Sequence, residues 1–224
     1  VTDMGDAYSY CYNLTGSPAC GPKVIYMEKA YMSCYQMKGS PACGNNVTNM
    51  FCTYSGCTNL TGSPIIGSNV SNMYSTYNNC GKLTGSPVCG EKVDSLYATY
   101  NNCTNLTGSP VCGPNVTNMY EAYSGCSNLT TAVCGPNVFD MHMSYSDCTN
   151  LTTAVCGINT QYMNYAYIRC YNLKEVVIPK SIKTIERYAF GECTHLRKAM
   201  LSEGVTTIGE GAFGNCYELT DFVL

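Results

Sequence analysis

The chain has 224 residues, of which only 12% are charged, with a formal net charge of −3 and a pI near 5.3. That balance offers no basic stripe to neutralise phosphates, so nucleic acid is excluded as the expected partner. No apolar run approaches the roughly eighteen residues needed to span a bilayer, so no transmembrane segment is expected. Gly (21), Tyr (20) and Cys (17) are abundant and Trp is absent, and so biased a composition calls first for a search for internal repeats.

The repeat is read from one cysteine column: Cys11, Cys34, Cys57, Cys80, Cys103, Cys126, Cys148, Cys170, Cys193 and Cys216, spaced by 23 or 22 residues. Three residues before each stands an aromatic, from Tyr8 and Tyr31 to Phe190 and Phe213. Three residues after each stands Leu, or Met37 in one case. A Val column (Val24, Val47, Val70) and a Met column (Met27, Met50, Met73) turn into Ile182, Ile185 and Ile208 near the end. A 23-residue coil cannot bury its apolar side alone, so such coils stack and each column becomes an interior ladder. The fold expected is a leucine-rich-repeat solenoid of mixed β structure with short helical turns. It would be a right-handed curved superhelix with a parallel inner β-sheet and about ten repeats of 22–23 residues. One domain covers 1–224, divided into divergent Cys/Tyr/Met-rich repeats over 1–168 and more regular ones over 169–224.

In chain order, the early coils read Asn-Leu-Thr-Gly-Ser-Pro before the second cysteine column. Pro18, Pro41, Pro64, Pro87 and Pro110 align with the inward position of Ala132, Ala154 and Val176. Because Pro cannot donate to a ladder, the expectation is a Gly-Ser bulge followed by a very short strand that begins at Pro. The later coils are plainer. Leu173, Val176 and Ile178, then Leu196, Ala199 and Leu201, then Leu219, Phe222 and Leu224, fit the L-x-x-L-x-L frame of an inner strand. Val205–Ile208 reads as a short extended piece and 211–216 as a helical turn.

This last stretch, Ile178-Pro179 through Ile182, Ile185, Ala189-Phe190, Cys193 and Leu196, and again Gly204 through Leu219, resembles the BspA-like leucine-rich repeats of bacterial surface proteins. The resemblance implies display at the cell surface or secretion, adhesion to host or microbial proteins or glycans, and no catalytic residue.

The remaining residues were weighed for chemistry. No C-x-x-C pair exists, and His142 and His195 sit in different repeats, so neither a metal nor a cofactor is expected. Neighbouring cysteines of a column lie about 4.8 Å apart with parallel side chains, which suits reduced, buried thiols better than disulfides. For an exported protein that points to an anaerobic or otherwise reducing habitat. No phosphate loop, nucleophile elbow or paired carboxylate appears, so the chain is read as non-catalytic. Asn13, Asn46, Asn59, Asn105 and Asn150 begin Asn-x-Ser/Thr triplets, read as turn chemistry in a bacterium and as glycan acceptors in a secreted eukaryotic protein.

The outward phase of the inner strand holds Ala19, Ala42, Ile65, Val88, Val111, Val133, Val155, Val177, Met200 and Val223. This is an apolar stripe, and Ile65 through Met200 form the candidate binding residues. Contiguous exposed apolar surface marks interaction sites; equally, small β-preferring residues suit a crowded concave sheet. Thr15, Thr61, Thr84, Thr107, Thr130 and Thr152 run beside it. Two functions stay open: a binding module for an extracellular protein or glycan, and a passive spacer in a larger surface protein. Seven of twelve Lys/Arg lie between Arg169 and Lys198. With no leader at Val1 and no polar cap at Leu224, the native protein is expected to extend further.

Overall fold

A computed structural model describes residues 1–223; Leu224, which the strand frame assigns as an inward residue, lies outside them. Among the described residues the strands are β1 (Glu175–Ile178), β2 (Thr184–Ile185), β3 (Lys198–Leu201), β4 (Thr207–Ile208) and β5 (Asp221–Val223). All pair in parallel, in the orders β1-β3-β5 and β2-β4, with Val177 opposite Met200 and Met200 opposite Val223. The one-period register is therefore 23 residues. Upstream, the same relation survives as isolated parallel bridges that join Asp3, Tyr26, Asn49 and Asn72, and again Ser95, Asn118, Asp140 and Tyr162.

The expected helical turns are not helical, and no helix occurs among the described residues. Alternate N–H groups leave their own coil. Those of Asp6, Tyr8 and Tyr10 donate to the carbonyls of Glu28, Ala30 and Met32 at 2.8–2.9 Å, whereas Ala7, Ser9 and Cys11 donate to the residue three back. The same alternation continues to Tyr188, Phe190 and Glu192. Two residues per coil, four apart, adopt the left-handed conformation, for example Ala98 (φ 47°) with Asn102 (φ 57°) and Tyr188 (φ 48°) with Glu192 (φ 59°). Left-handed residues interrupt a right-handed helix, so the segment is a run of tight turns whose spare donors stitch it to the next coil. Helical periodicity in the sequence cannot distinguish the two, because both place every third or fourth side chain inward.

Those inward side chains are the sequence columns. Tyr54, Tyr77, Tyr100, Tyr123, Tyr145, Tyr167 and Phe190 are fully buried, with successive ring centroids 5.2–5.7 Å apart and nearly parallel planes. The Val, Met, Leu and first cysteine columns are buried beside them. Leu173, Val176 and Ile178 point inward and Val177 is 53% exposed, as the strand frame requires. In the last described coil Leu219 is half-buried and Phe222, assigned inward, is exposed.

Thr53, Thr76, Thr99 and Ser144 fill the core position that Ala30, Ala122 and Ala166 take in other coils, and their hydroxyls donate across coils to the carbonyls of Met27, Met50, Met73 and Met119. All seventeen cysteines are free thiols. Cys57, Cys80, Cys103 and Cys126 each donate to the tyrosine carbonyl 26 residues earlier at 3.0 Å. The column thus contributes a hydrogen bond per coil in addition to apolar packing, and a disulfide would forfeit that donor.

Candidate binding face

The residues before each second-column cysteine set the geometry of the inner face. Instead of a strand beginning at Pro, the early coils make one ladder contact at the turn, where Thr61, Thr84 and Thr107 donate to the carbonyls of Gly39, Gly62 and Gly85. Gly39, Gly62 and Gly85 sit at φ 81–88°. Here glycine is required by conformation, since a left-handed φ strains any other residue. Past it, Pro has no N–H to continue the ladder, and no strand forms.

The orphaned backbone finds another partner. Tyr31, Tyr54, Tyr100 and Tyr145 each turn the hydroxyl onto the residue twelve positions back, accepting from its N–H at 3.0–3.1 Å and donating to its carbonyl at 2.5–2.7 Å. Tyr77 and Tyr167 do the same for Ile65 and Val155. Where true strands exist, at β1 and β3, the rings of that column are Phe190 and Phe213, without a hydroxyl. The exchange of Tyr for Phe, legible in the sequence only as divergence, tracks whether backbone needs capping. Burial raises the pKa of the Tyr77, Tyr100 and Tyr145 hydroxyls well above the usual tyrosine range, so they stay protonated and able to donate.

The capped residues belong to the stripe. Ile65, Val111, Val155 and Val177 are 36–53% exposed, while Val88, Val133 and Met200 are half-buried. Between them Pro64, Pro87, Pro110, Ala132, Val176 and Ala199 are buried. Two positions before each stripe residue runs a second outward column. It is Ser63, Ser86, Ser109, Thr131 and Thr153, and then Glu175, Lys198 and Asp221, with Lys198 and Asp221 paired at 3.7 Å. The face is therefore methyl and hydroxyl over most of its length and charged at one end. Thr61, Thr84, Thr107 and Thr130 are exposed beside it, and Thr152 is half-buried.

Three of the five singled-out asparagines and both histidines have structural partners. Asn46 and Asn59 donate their side-chain amides to carbonyls of the preceding coil at 2.8 Å, and Asn150 faces Asn128. His142 stacks on Tyr120 with centroids 4.9 Å apart, and His195 Nδ1 lies 2.7 Å from the Tyr171 carbonyl. The sequence reading missed one feature. Phe51, Tyr74, Tyr97, Tyr120 and His142 form a half-buried stack outside the core, with centroids 4.3–5.1 Å apart. Its signal in the sequence is that each follows a Met or Leu of the inner column by one residue.

Three comparisons bear on kinship. A family model described as a BspA-type leucine-rich repeat region (6 copies) matches residues 159–224. Among solved structures, a leucine-rich cell surface protein from Faecalibacterium prausnitzii A2-165 is similar at TM-score 0.67 and 21% identity, covering 100% of this chain and 65% of that one. A leucine-rich repeat protein from Bacteroides ovatus ATCC 8483 gives 0.61 and 16%, over 98% and 69%. The leucine-rich repeat protein of T. pallidum gives 0.61 and 20%, over 77% and 82%. This chain thus spans about two thirds of the first two. No curated protein matches it. The likeness carries the leucine-rich-repeat fold, and no helix among the described residues is long and apolar enough to cross a membrane.

Proposed function

With residues 159–224 in the BspA-type leucine-rich-repeat family, we propose that the whole chain is a right-handed solenoid of about ten repeats that serves as a non-catalytic binding module. It is displayed on or secreted from a bacterial cell and adheres to an extracellular protein or glycan through its inner, concave face. The site is the stripe Ile65, Val88, Val111, Val133, Val155, Val177 and Met200. What carries this reading is the exposure of Val155 and Val177 on a backbone bonded from below, Val155 at both its N–H and its carbonyl by the Tyr167 hydroxyl and Val177 by β1–β3 pairing, with Val111 exposed in the same row. A row of apolar side chains fixed in water presents area to a partner with little ordering cost. Seventeen free thiols fit export into a reducing, anaerobic habitat.

The test is immobilised binding to matrix proteins, serum proteins, mucins and bacterial surface glycans, beside a folded variant carrying Val111→Asp, Val133→Asp and Val155→Asp. Binding that the variant loses supports the module; absence of binding by either form favours the spacer.

A further inference from the structure

The second cysteine column carries an arrangement that neither the packing argument nor the binding face uses. Cys43, Cys112 and Cys134 are half-buried at the edge of the core, and each stands seven residues before a fully buried methionine. The thiol and thioether sulfurs are 3.5 Å apart in Cys43–Met50, 3.9 Å in Cys112–Met119 and 3.6 Å in Cys134–Met141. The N–H of Gly44 points at Cys20 Sγ and that of Gly67 at Cys43 Sγ, both at 3.2 Å. This column of sulfurs thus receives main-chain donors from the following coil; burial, the larger influence, still pushes the Cys43 and Cys134 thiols up to about 11, so the proton leaves only as an ion binds. Two sulfurs bonded to one ion at about 2.3 Å stand roughly 3.7–4.6 Å apart, from tetrahedral to linear geometry. Cys112 and Met119 are already in that range, and a small rotation of the cysteine side chain brings the other two pairs into it.

We propose that these cysteine–methionine pairs are sites for a soft monovalent metal ion of the Cu(I) or Ag(I) class. The ligand chemistry selects the ion. Thiolate with thioether prefers Cu(I), and among the described residues no three His, Cys, Asp or Glu side chains converge to hold zinc or another ion that needs more ligands. Charge agrees. The thiol gives its proton to solvent, one sulfur–metal bond forms to the thiolate and a dative bond to the thioether, and the resulting unit is neutral, as a half-buried site requires. The ion is not reduced or oxidised in this step. Two coils supply internal controls, since Cys89 is followed at the seventh position by Leu96, and Met73 is preceded there by Ile66.

The test uses the reduced chain under anaerobic conditions, with its methionine methyls labelled with carbon-13, titrated with Cu(I) from a chromophoric chelator complex. The methyl signals of Met50, Met119 and Met141 are expected to shift while that of Met73 stays. Met141→Leu should lower uptake by one ion, and Leu96→Met should add one ion with one newly shifted methyl beside Cys89. Thiol reaction that moves no methionine methyl, or a Leu96→Met protein that folds and gains neither ion nor shift, overturns the proposal.

Discussion

Replacing Tyr100 with Phe isolates the capping role of the buried tyrosine column. The ring remains between Tyr77 and Tyr123, at centroid distances of 5.5 and 5.7 Å, so the stack and its apolar burial are kept. What is lost is one hydroxyl that donates to the Val88 carbonyl at 2.6 Å and accepts from the Val88 N–H at 3.1 Å. Each buried main-chain group left unpaired costs about 1–3 kcal/mol. Val88 is half-buried, so water recovers part of this, and a loss of about 2–3 kcal/mol is expected for the pair of bonds. At roughly 2–4 °C per kcal/mol for a chain of this size, the melting temperature should fall by about 4–12 °C. Amide exchange localises the effect, because the Val88 N–H should lose protection while that of Met200, in β3, keeps it. The reciprocal change, Phe190→Tyr, brings a hydroxyl to strands whose groups are already paired and should also destabilise, by about 1–3 kcal/mol. A Tyr100→Phe protein within a few tenths of a kcal/mol of the parent, with Val88 still protected, would refute the reasoning.

Alkaline pH should destabilise the chain. Burial pushes the thiols of Cys57 and Cys126 from an ordinary value of 9.0 up to about 12 and raises the tyrosines such as Tyr77 as well. Above pH 9 the unfolded chain therefore holds fewer protons than the folded one. Stability contributed by these groups is full below the unfolded value and is lost as pH climbs toward the folded one; urea midpoints should be flat between about pH 6 and 8 and fall steeply above 9. Gly67→Ala should cost about 2 kcal/mol or more in a urea melt, since an added methyl would run into the Gly44 carbonyl of the adjacent coil. Ala98→Gly, at φ 47°, should instead raise the thermal midpoint, because relief of about 1–2 kcal/mol of left-handed strain outweighs the entropy that glycine adds to the unfolded chain.

How much of this could be read from residues alone depends on what each residue's role rests on. The columns at Cys57, Leu60 and Val70 were legible because burial follows period, and period survives any local backbone. The strand at Glu175–Ile178 was legible because alternation of Val176 and Val177 is itself the strand signal. The turn runs were not, since left-handed φ at residues as unlike as Lys29, Ala98 and Glu121 has no compositional mark; the coil-to-coil hydrogen bonds impose it. The role of Tyr100 was hidden for a related reason: its partner, Val88, is identified only once Pro87 is known to stop the ladder. Of the face, the exposure of Val111 followed from phase, while the change of its flanking column from Ser109 to Lys198 needed the register.

Every backbone hydrogen bond that leaves a coil ends on the coil directly before or after it, about 23 residues away along the chain. No residue depends on how many coils lie beyond its neighbour. Copy number is then a quantity that heredity can change without redesign. Recombination between near-identical stretches such as Asn-Leu-Thr-Gly-Ser-Pro could insert or delete whole turns in a single event, and descendants would differ in reach while keeping the same cross-section.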